Sequence, residues 1–264
     1  MNIKHISTKD NTAKVLLTAT SKEISSAKTA AFNKLNKDLT VKGFRKGSVP
    51  ADVAKKTIGD ERLKQEAVRS LLESGVLQII KEKKYQLLGL PQLDKTEVEK
   101  ETTWTFDLSL PLSPDIKLGD YKKTTKTILG KTKGKTPDQK LTAIMEALIK
   151  NTSFVVPAVL IEREVNHSLS RLVKQTESLN LDLNTYFKSI NKTAEQVKEE
   201  YHQKAEESIK IDLILSQIAT DLKVDVTPEE LEAFGKTSQT PPEKYSSLAP
   251  VLIRRKTLDQ LLVL

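Results

Sequence analysis

The stretch Gly43-Phe44-Arg45-Lys46-Gly47-Ser48-Val49-Pro50 places an aromatic ring and two cations between two glycines and closes with a proline. The glycines can adopt positive φ and the proline disfavours a helical conformation in the residue before it, so the pattern predicts a tight loop. A ring beside two cations suits docking onto an acidic or RNA-rich surface, where the cations pair with carboxylates or phosphates. The alternative is a surface turn in which Phe44 packs back into its own core.

Other residues that could do chemistry lack the required spacing. Gly-Lys-Thr occurs at 130–132 and at 134–136, but a phosphate-binding loop needs a glycine five positions earlier, where Thr125 and Leu129 stand. The three histidines lack metal-ligand spacing. The absence of cysteine excludes disulfides and thiolate sites. We therefore expect neither a metal nor a cofactor.

Composition indicates an extended, charged protein. A length of 264 residues allows two domains, and 38% hydrophobic with 30% charged residues favours an elongated, largely helical chain. The net charge of +8 favours polyanionic partners. The first residues contain no apolar signal-peptide region, and the longest apolar stretch, 154–161, has only eight residues. We expect a cytoplasmic protein without a membrane partner.

Hydrophobic patterning predicts an α+β first domain. Alternating residues indicate strands over 13–20 and 104–110. Between them, Thr20 and Glu23 form a capping box that opens one helix, and a second, longer helix is predicted from about 61 to 84. The loop at 43–50 falls between these helices, so we expect it at the tip of a helical pair.

The rest of the sequence predicts a linker and then helices. Residues 119–136 carry six lysines against one aspartate and have little to bury, which predicts a mobile basic linker. Beyond it, capping patterns at Thr136, Thr193 and Thr227 each open a helix. Residues 137–264 are therefore predicted to form an all-α, multi-helix domain.

The octet at 43–50 resembles the ribosome-docking signature of the trigger factor family of bacterial chaperones. The first domain is similar to that family's ribosome-binding domain, and segments farther along resemble the exit from that domain and the C-terminal helical domain. These segments are Pro114–Tyr121, Asn151–Phe154, Val156-Pro157, Leu160–Glu164, 183–226 and Val224–Glu230. The resemblance implies a ribosome-binding domain at 1–118, the linker at 119–136 and a substrate-binding helical domain at 137–264.

The resemblance also implies a function and its residues. It predicts an ATP-independent chaperone that docks beside the ribosome exit tunnel, on protein and rRNA, and shields nascent or unfolded polypeptides during folding and export. Weak self-association is a further expectation. The implied docking residues are Gly43, Phe44, Arg45, Lys46, Gly47 and Pro50. The candidate client contacts, each of which could instead be a core residue, are Ile144, Met145, Leu148, Phe154, Leu213 and Leu252.

The middle of the sequence departs from the family pattern. The family carries a peptidyl-prolyl isomerase domain of the FKBP type there, whereas only residues 119–153 are available here, and a domain usually needs at least about 50 residues. We therefore expect no isomerase domain and no enzyme, although the family label includes that activity. Two alternatives to the chaperone stay open: a general basic RNA-binding protein and a residual prolyl isomerase.

Overall fold

Two units make up the chain in a computed structural model that describes residues 1–100 and 102–264. The first unit contains Met1–Ser113 together with Pro157–Val159, and the second contains Pro114–Val156 and Leu160–Leu264. The main segment of the first unit ends at Ser113, whereas the sequence predicted a first domain that ends at residue 118.

A four-stranded antiparallel sheet forms the centre of the first unit. In chain order its strands are β1 Asn2–Lys9, β2 Thr12–Thr20, β3 Gln92–Glu97 and β4 Thr103–Pro111. Their spatial order is β1-β2-β4-β3, so the two predicted strands, β2 and β4, lie in the middle. Both alternate with period two, and one face of each is buried. The buried residues on that face are Ala13, Val15, Leu17, Ala19, Trp104, Phe106, Leu108 and Leu110.

Three helices complete the first unit; the first and third cover the buried face of the sheet, and the second packs against those two helices. They are α1 Ser21–Asp38, α2 Ala51–Ile58 and α3 Asp60–Lys83. The start of α1 confirms the predicted capping box, because the Glu23 carboxylate accepts hydrogen bonds from the Thr20 backbone N–H and hydroxyl, both at 2.9 Å. The Met1 ammonium also binds Glu23. The bond to this ammonium, followed by the Thr20 backbone N–H, lowers the pKa of Glu23 to about 2.

The second unit is all helical, as predicted. Its helices are α4 Tyr121–Lys131, α5 Pro137–Asn151, α6 Ala158–Ser178, α7 Leu183–Ser189, α8 Ala194–Asp221, α9 Pro228–Thr237 and α10 Ala249–Leu262, with a 3-10 helix at Pro242–Leu248. The first two residues of α6 group with the first unit. The three predicted caps are confirmed, since the hydroxyls of Thr136, Thr193 and Thr227 each accept the backbone N–H three residues later.

The prediction of a mobile linker at 119–136 is wrong, because α4 occupies most of it. The residues that face inward recur at helical spacing: Tyr121, Thr125, Ile128, Leu129 and Thr132. The segment has more to bury than its lysine content indicates, because Thr132 is buried with its hydroxyl donating to the Ile128 carbonyl at 2.8 Å. The Tyr121 hydroxyl also donates to Asp221 of α8 at 2.5 Å, and burial, followed by this bond, raises the Tyr121 pKa.

Two consecutive turns form the loop that joins α1 to α2. The Phe44 N–H donates to the Val41 carbonyl at 3.0 Å, and the Ser48 N–H donates to the Arg45 carbonyl at 3.0 Å. Each turn therefore has a glycine at its third position, where φ is +94° at Gly43 and +75° at Gly47. A positive φ at this position is what a type II turn requires. The four-residue spacing of the glycines is thus the spacing of two tandem turns.

We expect Gly47→Ala to destabilise the first unit more than Gly43→Ala. Both substitutions place an L side chain at positive φ, at a cost of about 1–2 kcal/mol. A Cβ at Gly47 would also lie 2.9 Å from the Lys37 carbonyl oxygen, whereas a Cβ at Gly43 meets nothing within 4 Å. Urea unfolding followed by the fluorescence of Trp104 measures the difference, which we expect to be at least about 1 kcal/mol. Equal losses would contradict the described packing of Gly47 on α1.

Candidate functional site

A small apolar cluster anchors the loop and leaves Phe44 outside. Val49 is 4% exposed and packs with Ala54 and Ile58 of α2, and half-buried side chains from α1, α2, α3 and the loop surround them. Phe44 is 41% exposed and does not join this cluster. The structure therefore contradicts the alternative in which Phe44 packs into its own core. Val49 holds the end of the loop while the ring at its tip stays available to a partner.

The two cations at the tip differ in their surroundings. The Lys46 ammonium lies 3.0 Å from the Asp38 carboxylate at the end of α1, and this bond lowers the pKa of Asp38. Arg45 is exposed and has no carboxylate partner among the described residues. Its planar guanidinium can therefore bind a carboxylate or phosphate with two parallel hydrogen bonds. Arg45 is free of a described carboxylate partner, whereas Lys46 forms an exposed ion pair with Asp38, which is a weak interaction.

Further cations surround the loop, and the sequence reading did not single them out. Residues 34–56 contain seven basic and two acidic side chains. Lys37, Lys42 and Lys56 are exposed, and no ion pair is described for them. A charge count along the sequence would have identified this group of basic residues around the loop. It makes the whole tip of the helical pair positive, which favours an acidic or phosphate-rich partner surface.

Burial contradicts three of the six predicted client contacts. Ile144, Leu148 and Leu252 are at most 9% exposed, and the first two belong to the core formed by α4, α5, α8 and α10. Their helical periodicity reflected packing within the second unit, so we assign them to its core. Met145, Phe154 and Leu213 are half-buried. These six residues therefore do not form a continuous exposed surface.

A groove that the sequence reading missed lies between α8 and α10. It encloses about 540 Å³, and its lining residues are Asp212, Leu215, Ser216, Pro250, Val251, Ile253 and Arg254. Val251 is 53% exposed, while Asp212 pairs with Arg254 across the two helices. Burial raises the pKa of Asp212. No local pattern could have revealed this groove, because it arises from two helices that are far apart in the sequence.

The remaining sequence candidates stay dispersed. His5 contacts the Thr8 hydroxyl at 2.9 Å, and His167 lies 3.8 Å from Glu164. Within the described ranges, no group of three or more His, Asp or Glu residues is arranged to hold a metal ion. None of the helices in the same ranges combines the length and the hydropathy that crossing a bilayer requires.

Comparisons with known proteins match both parts of the chain. The family profile described as bacterial trigger factor protein (TF) matches residues 1–143, and the profile for the C-terminus of that protein matches residues 119–240. Trigger factor from Streptococcus mutans serotype c is 36% identical over 112 residues, and trigger factor from Ligilactobacillus salivarius is 33% identical over 112 residues. Each match covers 42% of this chain but only 26% of the relative.

The fold is also similar to a solved structure of the trigger factor chaperone, described for promiscuous substrate recognition in folding and assembly. The TM-score is 0.59, the identity is 14%, and 99% of each chain is covered. At this identity the likeness concerns the fold alone. The first family profile, however, covers more than half of the residues and includes the sheet, the loop at 43–50 and α4. The chain therefore belongs to the bacterial trigger factor family.

Proposed function

We propose that this chain is an ATP-independent chaperone of the cytoplasm that docks on the ribosome and shields unfolded polypeptide. The observation that carries the proposal is the exposed Phe44-Arg45-Lys46 tip, held outward by two glycine turns and the buried Val49. Family membership supports it. Because the curated relatives extend well beyond the matched segment, ribosome, rRNA and nascent-chain binding are all proposals here. Weak self-association stays a prediction from the sequence.

Docking would combine one apolar contact with several charged ones. The ring of Phe44 would supply buried area, and Arg45 would bind a carboxylate of a ribosomal protein or a phosphate of rRNA. Lys46 would exchange Asp38 for an anion of the partner. The surrounding Lys37, Lys42 and Lys56 would add attraction that depends strongly on salt.

We expect Phe44→Ala/Arg45→Ala/Lys46→Ala to abolish co-sedimentation with 70S ribosomes at moderate salt. The variant removes the exposed ring, the free guanidinium and one further cation while leaving the anchor Val49 in place. A matched control is Ile6→Ala/Lys4→Ala/Lys9→Ala on β1, which also removes one exposed apolar side chain and two exposed cations. The intact protein and the control should pellet, and the docking variant should stay in the supernatant.

Two results would count against this assignment. If both triple variants pellet as well as the intact protein, charge rather than the loop holds the chain on the ribosome. If the intact protein does not pellet with ribosomes, the chain has the family fold but does not dock on the ribosome.

The groove between α8 and α10 is our proposed contact for an extended apolar segment of an unfolded polypeptide. Its volume lies within the range of about 300–1,000 Å³ that is usual for ligand pockets. Most of its lining is apolar, and Val251 presents a large exposed fraction of its side chain. A shallow apolar contact of this kind binds weakly, which suits release without ATP.

We expect Val251→Ser to weaken the binding of reduced, carboxymethylated α-lactalbumin, which cannot fold. Burying a valine contributes about 1.5 kcal/mol, so the loss should raise the Kd by up to about tenfold. Val263→Ser is the control, because Val263 lies at the other end of α10, is 84% exposed and does not line the groove. Fluorescence anisotropy measures both affinities, and an equal Kd for the two variants would remove the groove from the proposal.

We further propose that the chain works without prolyl isomerisation. Residues 119–153 stand where the family resemblance places an isomerase domain, and here they contribute α4 and α5 to the core of the second unit. A protease-coupled assay on a proline tetrapeptide should therefore give the uncatalysed rate. Turnover well above that rate would restore the enzyme alternative.

A further inference from the structure

The positive charge of the second unit is concentrated in one short segment. Residues 121–136 contain six lysines and no acidic residue, whereas the rest of 114–264 contains 17 basic and 21 acidic residues. This segment, which we call the lysine face, consists of the outer side of α4 and the turn that follows it. The unit would otherwise be acidic, so the lysine face is a local feature rather than a consequence of general composition.

Helix α4 buries a tyrosine and threonines on its inner side and exposes its lysines to solvent. Tyr121, Thr125 and Thr132 are buried on its inner side. The lysines on the outer side are exposed: Lys122, Lys123, Lys126, Lys131, Lys133 and Lys135. The inner stripe packs into the core and fixes the orientation of the helix. The outer lysines are therefore carried on the solvent-exposed sides of an ordered helix and the turn after it, not on a mobile linker.

Few carboxylates compensate this charge. Lys122 pairs with Asp221 at 3.3 Å, and no ion pair is described for the other exposed lysines of the face. The Asp120 carboxylate accepts the backbone N–H of Lys123 at 2.9 Å and so serves as the cap of α4. Clustered like charges repel one another, and a polyanion bound across them would relieve that repulsion.

The chemistry of the surface favours nucleic acid over an acidic protein. Protein interfaces centre on aromatic and other apolar anchors and are depleted in lysine. No large exposed apolar side chain is found between 114 and 154, a stretch that the structure describes throughout. Phosphate oxygens, by contrast, are bound by lysine ammonium groups and threonine hydroxyls. The Thr127 hydroxyl on α4 donates to the Lys123 carbonyl at 2.9 Å, so the exposed ammonium groups are the donors that this surface offers to phosphate.

We propose that the lysine face binds the phosphate backbone of RNA, without reading its base sequence. The binding groups are Lys123, Lys126, Lys131, Lys133 and Lys135, which lie on α4 or in the turn after it. From Lys123 to Lys131 the helix rises about 12 Å, which is enough to follow several phosphates of one strand. This surface lies in the second unit and acts independently of the docking loop, so the proposal goes beyond the proposed function.

The test uses the full chain carrying Phe44→Ala/Arg45→Ala/Lys46→Ala, so that the docking loop cannot contribute. The probe is a fluorescein-labelled, single-stranded RNA of 20 nucleotides, titrated by anisotropy over a series of salt concentrations. The test variant adds Lys123→Gln/Lys126→Gln/Lys133→Gln. The control adds Lys174→Gln/Lys188→Gln/Lys198→Gln, which removes three exposed lysines elsewhere in the second unit. Glutamine preserves helix propensity, and circular dichroism checks that both variants fold.

We expect the test variant to lose affinity at least about tenfold at low salt. Its plot of log K against log salt should become less steep by about 2, since each phosphate contact on a single strand contributes about 0.7. The control should keep nearly the parental slope. Equal losses in both variants would overturn the proposal, because net charge would then explain the binding. The proposal also fails if the parent does not bind RNA, or if polyglutamate of equal charge competes as well as unlabelled RNA.

Discussion

The hydrogen bond from the Gly47 N–H to the Leu39 carbonyl closes the loop on which the proposed function depends. It joins the residue after α1 to the second of the two glycines, so the chain reverses within nine residues. Val49 then enters the apolar cluster beneath the loop, and Pro50 leads into α2. With the backbone held at both ends, the three side chains at the tip are exposed, and Phe44 does not join the apolar cluster. The exposure of Phe44 thus accompanies a defined loop backbone with two closed turns.

Charge is segregated in both units, although their folds differ. In the first unit the excess of cations gathers around the loop, and in the second it gathers on α4. Elsewhere lysines and arginines are frequently paired along or between helices, as in Arg69 with Glu73 and Arg254 with Asp212. The net charge of the whole chain therefore gives a poor picture of its surface. Two positive regions stand out from surroundings that are close to neutral or slightly acidic.

Much of the fold could be predicted because its signals are local. A capping box needs only four residues, and the central strands β2 and β4 show period two because a single face is buried. The edge strands β1 and β3 escaped prediction because most of their side chains are exposed and show no alternation. Helix α4 was not predicted because a buried threonine replaces part of its apolar stripe.

The candidate site could be predicted only in part, because only some of its signals are local in the sequence. The octet at 43–50, which carries the proposed docking residues, is contiguous, so these residues could be identified from the sequence. The groove between α8 and α10 depends on how these two helices pack, and apolar periodicity cannot distinguish a core residue such as Ile144 from a residue on a contact surface.

The ion pair between Lys46 and Asp38 has a consequence for selectivity. A cation already held by an intramolecular carboxylate attracts passing anions less than a free one does. Recruiting Lys46 amounts to swapping one carboxylate for another anion, and such an exchange changes little in free energy. In the proposed docking, Asp38 would compete with the partner for the Lys46 ammonium, and this competition would be weak because both side chains are exposed.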